Sequence, residues 1–398
     1  MKSCSACPSG ALISDPLFSI PNLPLVDKFE KSEQLSNNVK SQSIDLRICD
    51  TCGTIQISNL VSPEELYSEY IYESSSSPDL DLHFEEYANS LLANAWVRDG
   101  DSILEIGIND GLLANKVLSK IKPTSYIGVD PSPQALTAAS DQIQVVNTFF
   151  NHENLEHRLP NQLFDVVIAN NVLSHIPNMS EALNLISSRL NDDGVLIFEI
   201  QSVSSIIDGL VFDYIYHEHI FYHSLSSLFQ LLSLSGLHII NATSRPVKGG
   251  SYRVFAAKYP SIRRGIPSHD LTYLLYKENI CRVSDPRSWD LLQDYLEHIN
   301  RSLHQFIKQE KAQGQVIVGY GACATGTVLI NYFNLQNHIE FIVDDNILRQ
   351  NRFSPGHAIP IKNPSSLSAN CSVICLAWRH YKYYQDKLLH HNHILPLP

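Results

Sequence analysis

The segment Asp101-Ser-Ile-Leu-Glu105-Ile-Gly107-Ile-Asn109-Asp110-Gly111 predicts a β-strand, a glycine turn and the start of a helix. The first half is apolar, and apolar residues recur at helical spacing from Leu112 to Ile121. Gly107 and Gly111 let the backbone approach a ligand at the carboxyl end of the strand, where open α/β sheets bind. The segment therefore predicts the first unit of a Rossmann-like sheet with a ligand site above it.

The residues that follow continue the same alternation of strand and helix. A strand from Tyr126 ends at Asp130, an acid that can accept hydrogen bonds from both hydroxyls of a ribose. Further strands are predicted at 144–146, 165–169 and 194–200, which indicates a parallel sheet with crossover helices. Class I methyltransferases typically show this order of motifs, here Glu105-x-Gly-x-x-x-Gly111, Asp130 and Asn170-Asn171. The order predicts that the loop binds S-adenosylmethionine; binding of a nicotinamide dinucleotide is the alternative.

Residues 212–219, Phe-Asp-Tyr-Ile-Tyr-His-Glu-His, end in four side chains that handle protons. A carbon that accepts a methyl group must first lose a proton, whereas most oxygen and nitrogen acceptors already carry a lone pair. His219 is a suitable base, and Tyr216 can donate to a developing oxyanion. This cluster predicts methylation of carbon, although a polar helix start with satisfied histidines would give the same pattern. His175, after the fourth predicted strand, faces the same crevice or lies in the core.

Four of the eight cysteines form two Cys-x-x-Cys pairs, Cys4 with Cys7 and Cys49 with Cys52. Two residues between thiolates let both sulfurs reach one tetrahedral ion, and four thiolates leave no position for water. The pairs therefore predict a structural Zn²⁺ site. Two unrelated pairs are the alternative.

The composition is that of a globular protein of two or three domains, with 398 residues and a formal net charge of −12. The charge argues against a nucleic-acid partner. The first residues lack the apolar segment of a signal peptide, and no run approaches the roughly 20 apolar residues of a membrane span. The expected location is the cytoplasm, without membrane contact.

Three further segments leave alternatives open. Ser74 to Ser77, after Tyr70 and Tyr72, is a flexible linker or an ordered lid. The glycine pair before Arg253 is a hairpin turn or an anion clamp. A second strand, glycine turn and helix start spans 315–326, after a predicted helix at 288–313. This second Rossmann-like unit could bind a redox dinucleotide or the diphosphate of a substrate, or could have lost ligand binding.

Taken in order, these motifs resemble the three-domain S-adenosylmethionine-dependent C-methyltransferases that act on nucleotide-linked keto-deoxysugars, over essentially the whole chain. The resemblance rests on both cysteine pairs, Tyr70-x-Tyr72-x-Ser74-Ser75, the 105–111 loop, Asn171-Val-Leu-x-His175, Tyr216-His-Glu-His219, Gly249-Gly-Ser-x-Arg253, Gly319-Tyr-Gly-Ala and Val343-Asp-Asp-Asn346 with Phe353-x-Pro-Gly356. The family's usual histidine before the glycine pair is Lys248 here, which indicates a different sugar or nucleotide contact.

The resemblance implies an α/β fold with a small zinc-binding domain at 1–72, a class I methyltransferase domain at 73–265 and a C-terminal Rossmann-like substrate domain at 266–398. The residues expected to bind the cofactor are Glu105, Gly107, Asn109, Asp110, Gly111, Asp130, Asn170, Asn171, Ser74 and Ser75. Those expected to bind the nucleotide sugar are Lys248, Gly249, Gly250, Ser251, Arg253, Tyr320, Gly321, Asp345 and Asn346.

The expected reaction is methylation of C3 in a 4-keto-6-deoxy or 2,6-dideoxy hexose through an enolate. His219 removes the C3 proton, while Tyr216 and His175 donate to the enolate oxygen. Glu218 orients the imidazole or binds a sugar hydroxyl, and Tyr72 or Tyr70 closes over the reacting groups. The alternatives are an O-methyltransferase that acts on a sugar or small metabolite, and a subunit that binds S-adenosylmethionine without catalysis.

Overall fold

The computed structural model describes residues 2–67, 73–76, 78–159, 162–259 and 269–397. The N-terminal part is built on three antiparallel strands, β1 (Phe18–Pro24), β2 (Ser41–Ile48) and β3 (Ile55–Ile57), with the short helices α1 (Glu33–Asn37) and α2 (Pro63–Tyr67). The cysteine pairs lie before β1 and in the turn between β2 and β3. The 3-10 turn 74–76 leads from this part into the central domain.

The central domain is a seven-stranded sheet. Five strands run parallel in the order β6-β5-β4-β7-β8, and two antiparallel strands, β11 and β10, complete the sheet beside β8. The strands are β4 (Ser102–Ile106), β5 (Ser125–Val129), β6 (Gln144–Val146), β7 (Phe164–Asn170), β8 (Leu190–Gln201), β10 (Leu237–Arg245) and β11 (Ser251–Lys258). The sheet confirms the predicted α/β fold, and reversal of strand order at β4 opens a crevice at the carboxyl edge.

Helices cover both faces of this sheet. They are α3 (Pro78–Ala93), α4 (Leu112–Leu118), α5 (His152–Glu156), α6 (Met179–Arg189), α7 (Val203–Asp208) and α8 (Leu225–Leu234). A two-residue strand, β9 (Phe221–Tyr222), leaves this domain to pair with β3 of the N-terminal sheet. The segment that carries the acid/base cluster is thus held between the two sheets.

The C-terminal domain is a parallel five-stranded sheet in the order β14-β13-β12-β15-β16. Its strands are β12 (Val316–Tyr320), β13 (Phe341–Val343), β14 (Ile361–Lys362), β15 (Cys371–Ile374) and β16 (His393–Ile394). The long helix α10 (Pro286–Ala312) precedes the sheet, α11 (Ala324–Tyr332) follows β12, and α12 (Tyr381–Tyr384) follows β15. This is the second Rossmann-like unit that the sequence predicts.

Helix α9 (His269–Cys281) packs on a different domain from the one to which the predicted boundary assigns it. The boundary at 265 and 266 assigns it to the C-terminal domain, but its Leu271 and Leu274 are buried in the core of the central sheet. An amphipathic helix has the same sequence pattern whichever sheet it packs on, so sequence could not choose between them.

The three parts share buried surfaces. One hydrophobic cluster contains Phe18 of β1, Phe212 beside the acid/base segment, Trp289 of α10 and Phe333 after α11. The Phe18 ring lies 6.2 Å from those of both Phe212 and Trp289. None of the helices that the structure describes combines the length and apolar character needed to span a bilayer.

Candidate active site

A cavity of about 550 Å³ lies between the carboxyl edge of the central sheet and the C-terminal domain. Its size is that of an ordinary ligand pocket. Residues from the central domain that line it include Ser74, Glu105, Gly107, Asn109, Asp130, Asn170, Asn171, His175, Tyr216, Glu218, His219 and Lys248. The cavity therefore brings together predicted cofactor residues, the predicted acid/base cluster and Lys248.

The glycine loop after β4 and the acid after β5 form one hydrogen-bonded unit. Asp130 accepts from the backbone N–H of Asn109 at 2.9 Å and from that of Ser132 at 2.8 Å. Asn109 in turn accepts from the Ser74 N–H at 2.9 Å. Carboxylate oxygens accept more than one hydrogen bond each, so Asp130 keeps capacity for ribose hydroxyls in the cavity.

Two polar atoms of cavity-lining residues indicate that the pocket holds a polar ligand. The Asn170 side chain accepts from Tyr87 and from the Glu199 N–H, both at 3.1 Å. Its buried Nδ2 has no hydrogen-bond partner in the described structure, and neither has the buried Ser132 hydroxyl. Buried polar groups are normally paired, so a ligand with acceptors at these atoms fits the site.

Glu105 lies at the floor of the cavity and is almost fully buried. It accepts a hydrogen bond of 2.6 Å from the Tyr126 hydroxyl. Burial raises the pKa of Glu105 to about 8, which favours the uncharged acid at pH 7. A cationic ligand would shift this balance towards the carboxylate.

His219 is oriented by a backbone carbonyl. Its Nδ1 lies 2.8 Å from the Tyr214 oxygen, which can only accept, so Nδ1 carries the hydrogen and Nε2 carries the lone pair. Burial, with the nearby cation of Lys248, lowers the pKa of His219 to about 4, and the ring is neutral at pH 7. The sequence leaves Glu218 either to orient the imidazole or to bind a sugar hydroxyl, and it does not predict this carbonyl.

The rings of Tyr216 and His175 lie beside His219, and Glu218 lines the same cavity. Ring centroids of Tyr216 and His175 lie 4.1 Å and 5.1 Å from that of His219. Burial lowers the pKa of His175 well below its usual value, with further lowering from His219. Burial, reinforced by the like charge of Asp27, raises the pKa of Glu218 to about 8. At neutral pH the cavity is thus lined by a neutral base and by a carboxylic acid that can donate.

Several predicted cofactor residues support the loop rather than line the cavity. Asp110 accepts from the Ser75 N–H at 2.8 Å and thereby ties the 74–76 turn to the loop. Gly111 has a φ of 78°, and a side chain there would meet Ala138 at 2.7 Å. Tyr70 and Tyr72 lie outside the described residues.

For the glycine pair and Arg253 the sequence leaves an anion clamp or a hairpin turn open, and the structure places Arg253 outside the lining of the cavity. The Arg253 guanidinium is fully buried and lies 3.9 Å above the Tyr87 ring. Its Nε donates to Glu199 at 2.8 Å and its Nη2 to Glu86 at 3.2 Å, while its buried Nη1 has no hydrogen-bond partner among the described residues. Gly249 and Gly250 adopt positive φ and pack against Val211 and Ser205, as a tight hairpin requires, and Ser251 caps the Val247 carbonyl. Lys248 alone of this group lines the cavity.

The predicted substrate residues of the C-terminal domain also lie away from the cavity. Tyr320 points into its own domain, where it stacks on Tyr384 at 4.0 Å and donates to Asp345 at 2.8 Å. A side chain at Gly321 would meet Ala377 at 2.3 Å, and Asn346 caps the turn after β13. The cavity is lined instead by Cys323, Ala324, Thr325, Arg349, Trp378, Arg379 and His380. Of these, Cys323, Ala324 and Thr325 lie in the predicted helix start at 315–326, for which the diphosphate of a substrate is one of the expected ligands.

Cys4, Cys7, Cys49 and Cys52 come together as one buried group, with all four sulfurs within 4.8 Å of one another. The Sγ atoms of Cys4 and Cys52 lie 3.9 Å apart, and those of Cys7 and Cys49 lie 3.7 Å apart. A tetrahedral ion with bonds of about 2.3 Å sets its sulfurs roughly 3.8 Å apart. The four thiols thus fit a metal ion, and the group lies outside the cavity.

Two family models match the chain. Residues 82–242 match a methyltransferase domain, and residues 246–392 match the C-methyltransferase C-terminal domain. The C-methyltransferase NovU of Streptomyces niveus is 27% identical over 342 residues, which cover 85% of this chain and 80% of NovU. A malonyl-[acyl-carrier protein] O-methyltransferase of Bacillus cereus is 31% identical over 97 residues, 24% of this chain and 36% of that protein.

Among solved structures, magnesium protoporphyrin IX methyltransferase from Synechocystis PCC 6803 aligns with 45% of this chain and 79% of its own, at 15% identity and a TM-score of 0.34. The alignment is too distant to transfer an activity. The two family matches instead lie one after the other along the chain, and the first contains the glycine loop and acid/base cluster of the cavity. The chain belongs to the S-adenosylmethionine-dependent methyltransferases and carries the C-terminal domain of the C-methyltransferases.

Proposed function

We propose that this protein methylates C3 of a nucleotide-linked 4-keto-6-deoxy or 2,6-dideoxy hexose through an enolate. The observation that carries the proposal is the neutral His219, which lines the cavity and whose Nδ1 is bound to the Tyr214 carbonyl. Most oxygen acceptors already carry a lone pair that can attack the methyl group, whereas a carbon acceptor must first lose a proton to a positioned base.

The C4 ketone makes the C3 proton acidic, and His219 Nε2 accepts that proton. The electron pair of the C–H bond moves into the enolate, whose negative charge develops on the former ketone oxygen. Tyr216 and His175 lie beside His219 and would donate to that oxygen. Glu218, an acid at neutral pH, donates to the same oxygen or to a sugar hydroxyl.

The loop residues would hold the methyl donor. When bound, S-adenosylmethionine supplies the electrophilic methyl group. Asp130 would accept from its ribose, and Asn170 would donate through its unpaired Nδ2. Gly107, Asn109 and Asn171 form the backbone of this part of the cavity, and Tyr72 or Tyr70 is proposed to close over it.

The opposite wall suits the diphosphate of a nucleotide sugar. The amino end of α11 at Ala324 and Thr325 opens into the cavity, and helix N-termini attract anions. Arg349 and Lys248 add positive charge to the same cavity. These groups replace Arg253 and Tyr320 in the proposed substrate site.

We also propose that the four cysteines hold a structural Zn²⁺. The donor set is closed, because four sulfurs complete a tetrahedron and leave no position for a substrate. The ion would stabilise the N-terminal fold, whose β3 pairs with β9 beside the acid/base segment.

Exchange of deuterium from solvent tests the carbon route. In D₂O, with S-adenosylhomocysteine in place of the donor, the wild type should incorporate deuterium at C3 of the substrate, provided that the base exchanges its proton with water. His219→Asn should lose roughly 10²- to 10⁴-fold in this rate and in methylation, the usual contribution of a general base. His238→Asn, an exposed histidine of β10, is the control. Full turnover by His219→Asn would refute the assigned base.

A further inference from the structure

Side chains of the C-terminal domain hydrogen-bond to the segment just before the acid/base cluster. Asp213 is fully buried and receives hydrogen bonds from Arg379 Nη1 at 2.8 Å and Nη2 at 2.7 Å. Trp378 Nε1 donates to the same carboxylate at 3.0 Å. One side chain of the central domain is therefore held by three donors from the loop after β15.

The same segment contains the backbone carbonyl that orients His219. Tyr214 directly follows Asp213 in the 3-10 turn Phe212–Tyr214, and its oxygen accepts from His219 Nδ1. The Arg379 guanidinium lies 4.6 Å above the Tyr214 ring, which is nearly parallel to the His219 ring at 7°. Movement of Asp213 would move this carbonyl.

Two further contacts approach the turn from other sides. A side chain at Gly249 would meet Val211 at 2.5 Å and Tyr214 at 3.3 Å, so the hairpin supports the turn from another side. Phe212 packs against the Phe333 ring after α11, at 5.6 Å. A buried ion pair adds little net stability, because desolvation offsets the attraction, whereas its bidentate geometry fixes orientation strongly.

We infer that Arg379, acting through Asp213, is a positioning residue that holds His219 in the tautomer with the hydrogen on Nδ1. The C-terminal domain thereby sets the direction of the basic lone pair as well as binding substrate. The inference rests on the proposed role of His219 as the base.

Asp213→Asn is the decisive variant, because Asp213 does not line the cavity and its replacement removes no substrate contact. An amide cannot accept both guanidinium hydrogens through two oxygens, so the turn should loosen. We expect kcat to fall roughly 100-fold, as for a misplaced general base, while KM for donor and acceptor changes little. Nitrogen NMR of histidine-labelled protein should show the Nδ1–H tautomer of His219 in the wild type and its loss in the variant.

Lys382→Gln is the matched control, because it breaks an exposed ion pair of 3.4 Å with Asp79, another contact between the same two domains. It should leave kcat and the tautomer unchanged. Arg379→Lys keeps the positive charge but loses the bidentate contact with Asp213, and it should show the same tautomer change with a smaller loss of kcat. If Asp213→Asn does not fold, this variant tests the inference in its place.

A folded Asp213→Asn protein with wild-type kcat and the Nδ1–H tautomer would overturn the inference. So would a rise in KM with kcat and tautomer unchanged, which would assign the pair to substrate binding. Failure of the proposed base is distinguishable, since it appears as full turnover by His219→Asn whatever the Asp213 variant does.

Discussion

At the scale of single residues, the site depends on two neighbouring groups whose pKa values move in opposite directions. Burial lowers the pKa of His219 and raises that of Glu218, because each environment disfavours the charged form. Both groups are neutral at pH 7, so the acid and base coexist without forming an ion pair. Divergent shifts of this kind separate an acid from a base in one site.

The pH dependence of kcat/KM should therefore be bell-shaped. Activity should fall as the pH drops through about 4, where His219 gains a proton, and as it rises through about 8, where Glu218 loses one. Glu218→Gln cannot ionise and should lose the alkaline limb while it keeps the acid limb. Rate profiles of both proteins check this, with exposed Glu153→Gln as control. An alkaline limb that persists in Glu218→Gln would assign that ionisation elsewhere.

The sequence predicted the residue types of this cluster but not what orients them. The orienting group of His219 is a backbone oxygen, and every residue has one, so no side chain marks it. The Asp213 and Arg379 partners are separated by 166 positions in the chain. Their contact follows from domain packing, which has no local sequence signal.

At the scale of elements, strand β5 matters because it delivers Asp130 to the cavity. Asp130→Asn should raise the dissociation constant for S-adenosylmethionine about 10- to 100-fold, since hydrogen bonds to a charged group contribute about 1.5 to 3 kcal/mol. Titration calorimetry measures this directly, and Asp141→Asn on the exposed surface serves as control. Unchanged affinity in Asp130→Asn would remove this residue from the donor site.

Elements with a strong repeating pattern were predicted well. The predicted strand at 144–146 coincides with β6, and the helix predicted at 288–313 corresponds to α10 at Pro286–Ala312. The substrate-binding residues of the C-terminal domain were predicted less well. Side chains alternate between the two faces of a strand, and this alternation turns the Tyr320 ring into the core of the domain. The described residues of this domain that line the cavity follow β12, β13 and β15, on the loops and at the start of α11.

At the scale of the whole molecule, the N-terminal domain is joined to the active site by packing. Strand β3 pairs with β9, and β1 packs on the aromatic cluster around Phe212. Disruption of the N-terminal fold should therefore perturb the segment that carries the acid/base cluster, although the cysteines do not contact the substrate directly.

The cysteine group provides a test of this coupling. The wild type should contain about one zinc ion per chain, and Cys52→Ser should lose it and lower the unfolding midpoint by at least about 5 °C, because a structural ion contributes directly to folding free energy. Metal analysis and thermal unfolding check both, and Cys281→Ser should retain the metal. Zinc retained at full content by Cys52→Ser would contradict the assigned ligand set.

The site of methyl transfer, carbon or oxygen, can be read directly from the product. Purified protein should be incubated with S-adenosylmethionine that carries a ¹³C-labelled methyl group and with a panel of nucleotide-linked 4-keto-6-deoxy and 2,6-dideoxy sugars, and the product examined by carbon NMR. We expect the label to be bonded to C3 of the sugar. A methoxy signal would contradict this expectation and identify an O-methyltransferase.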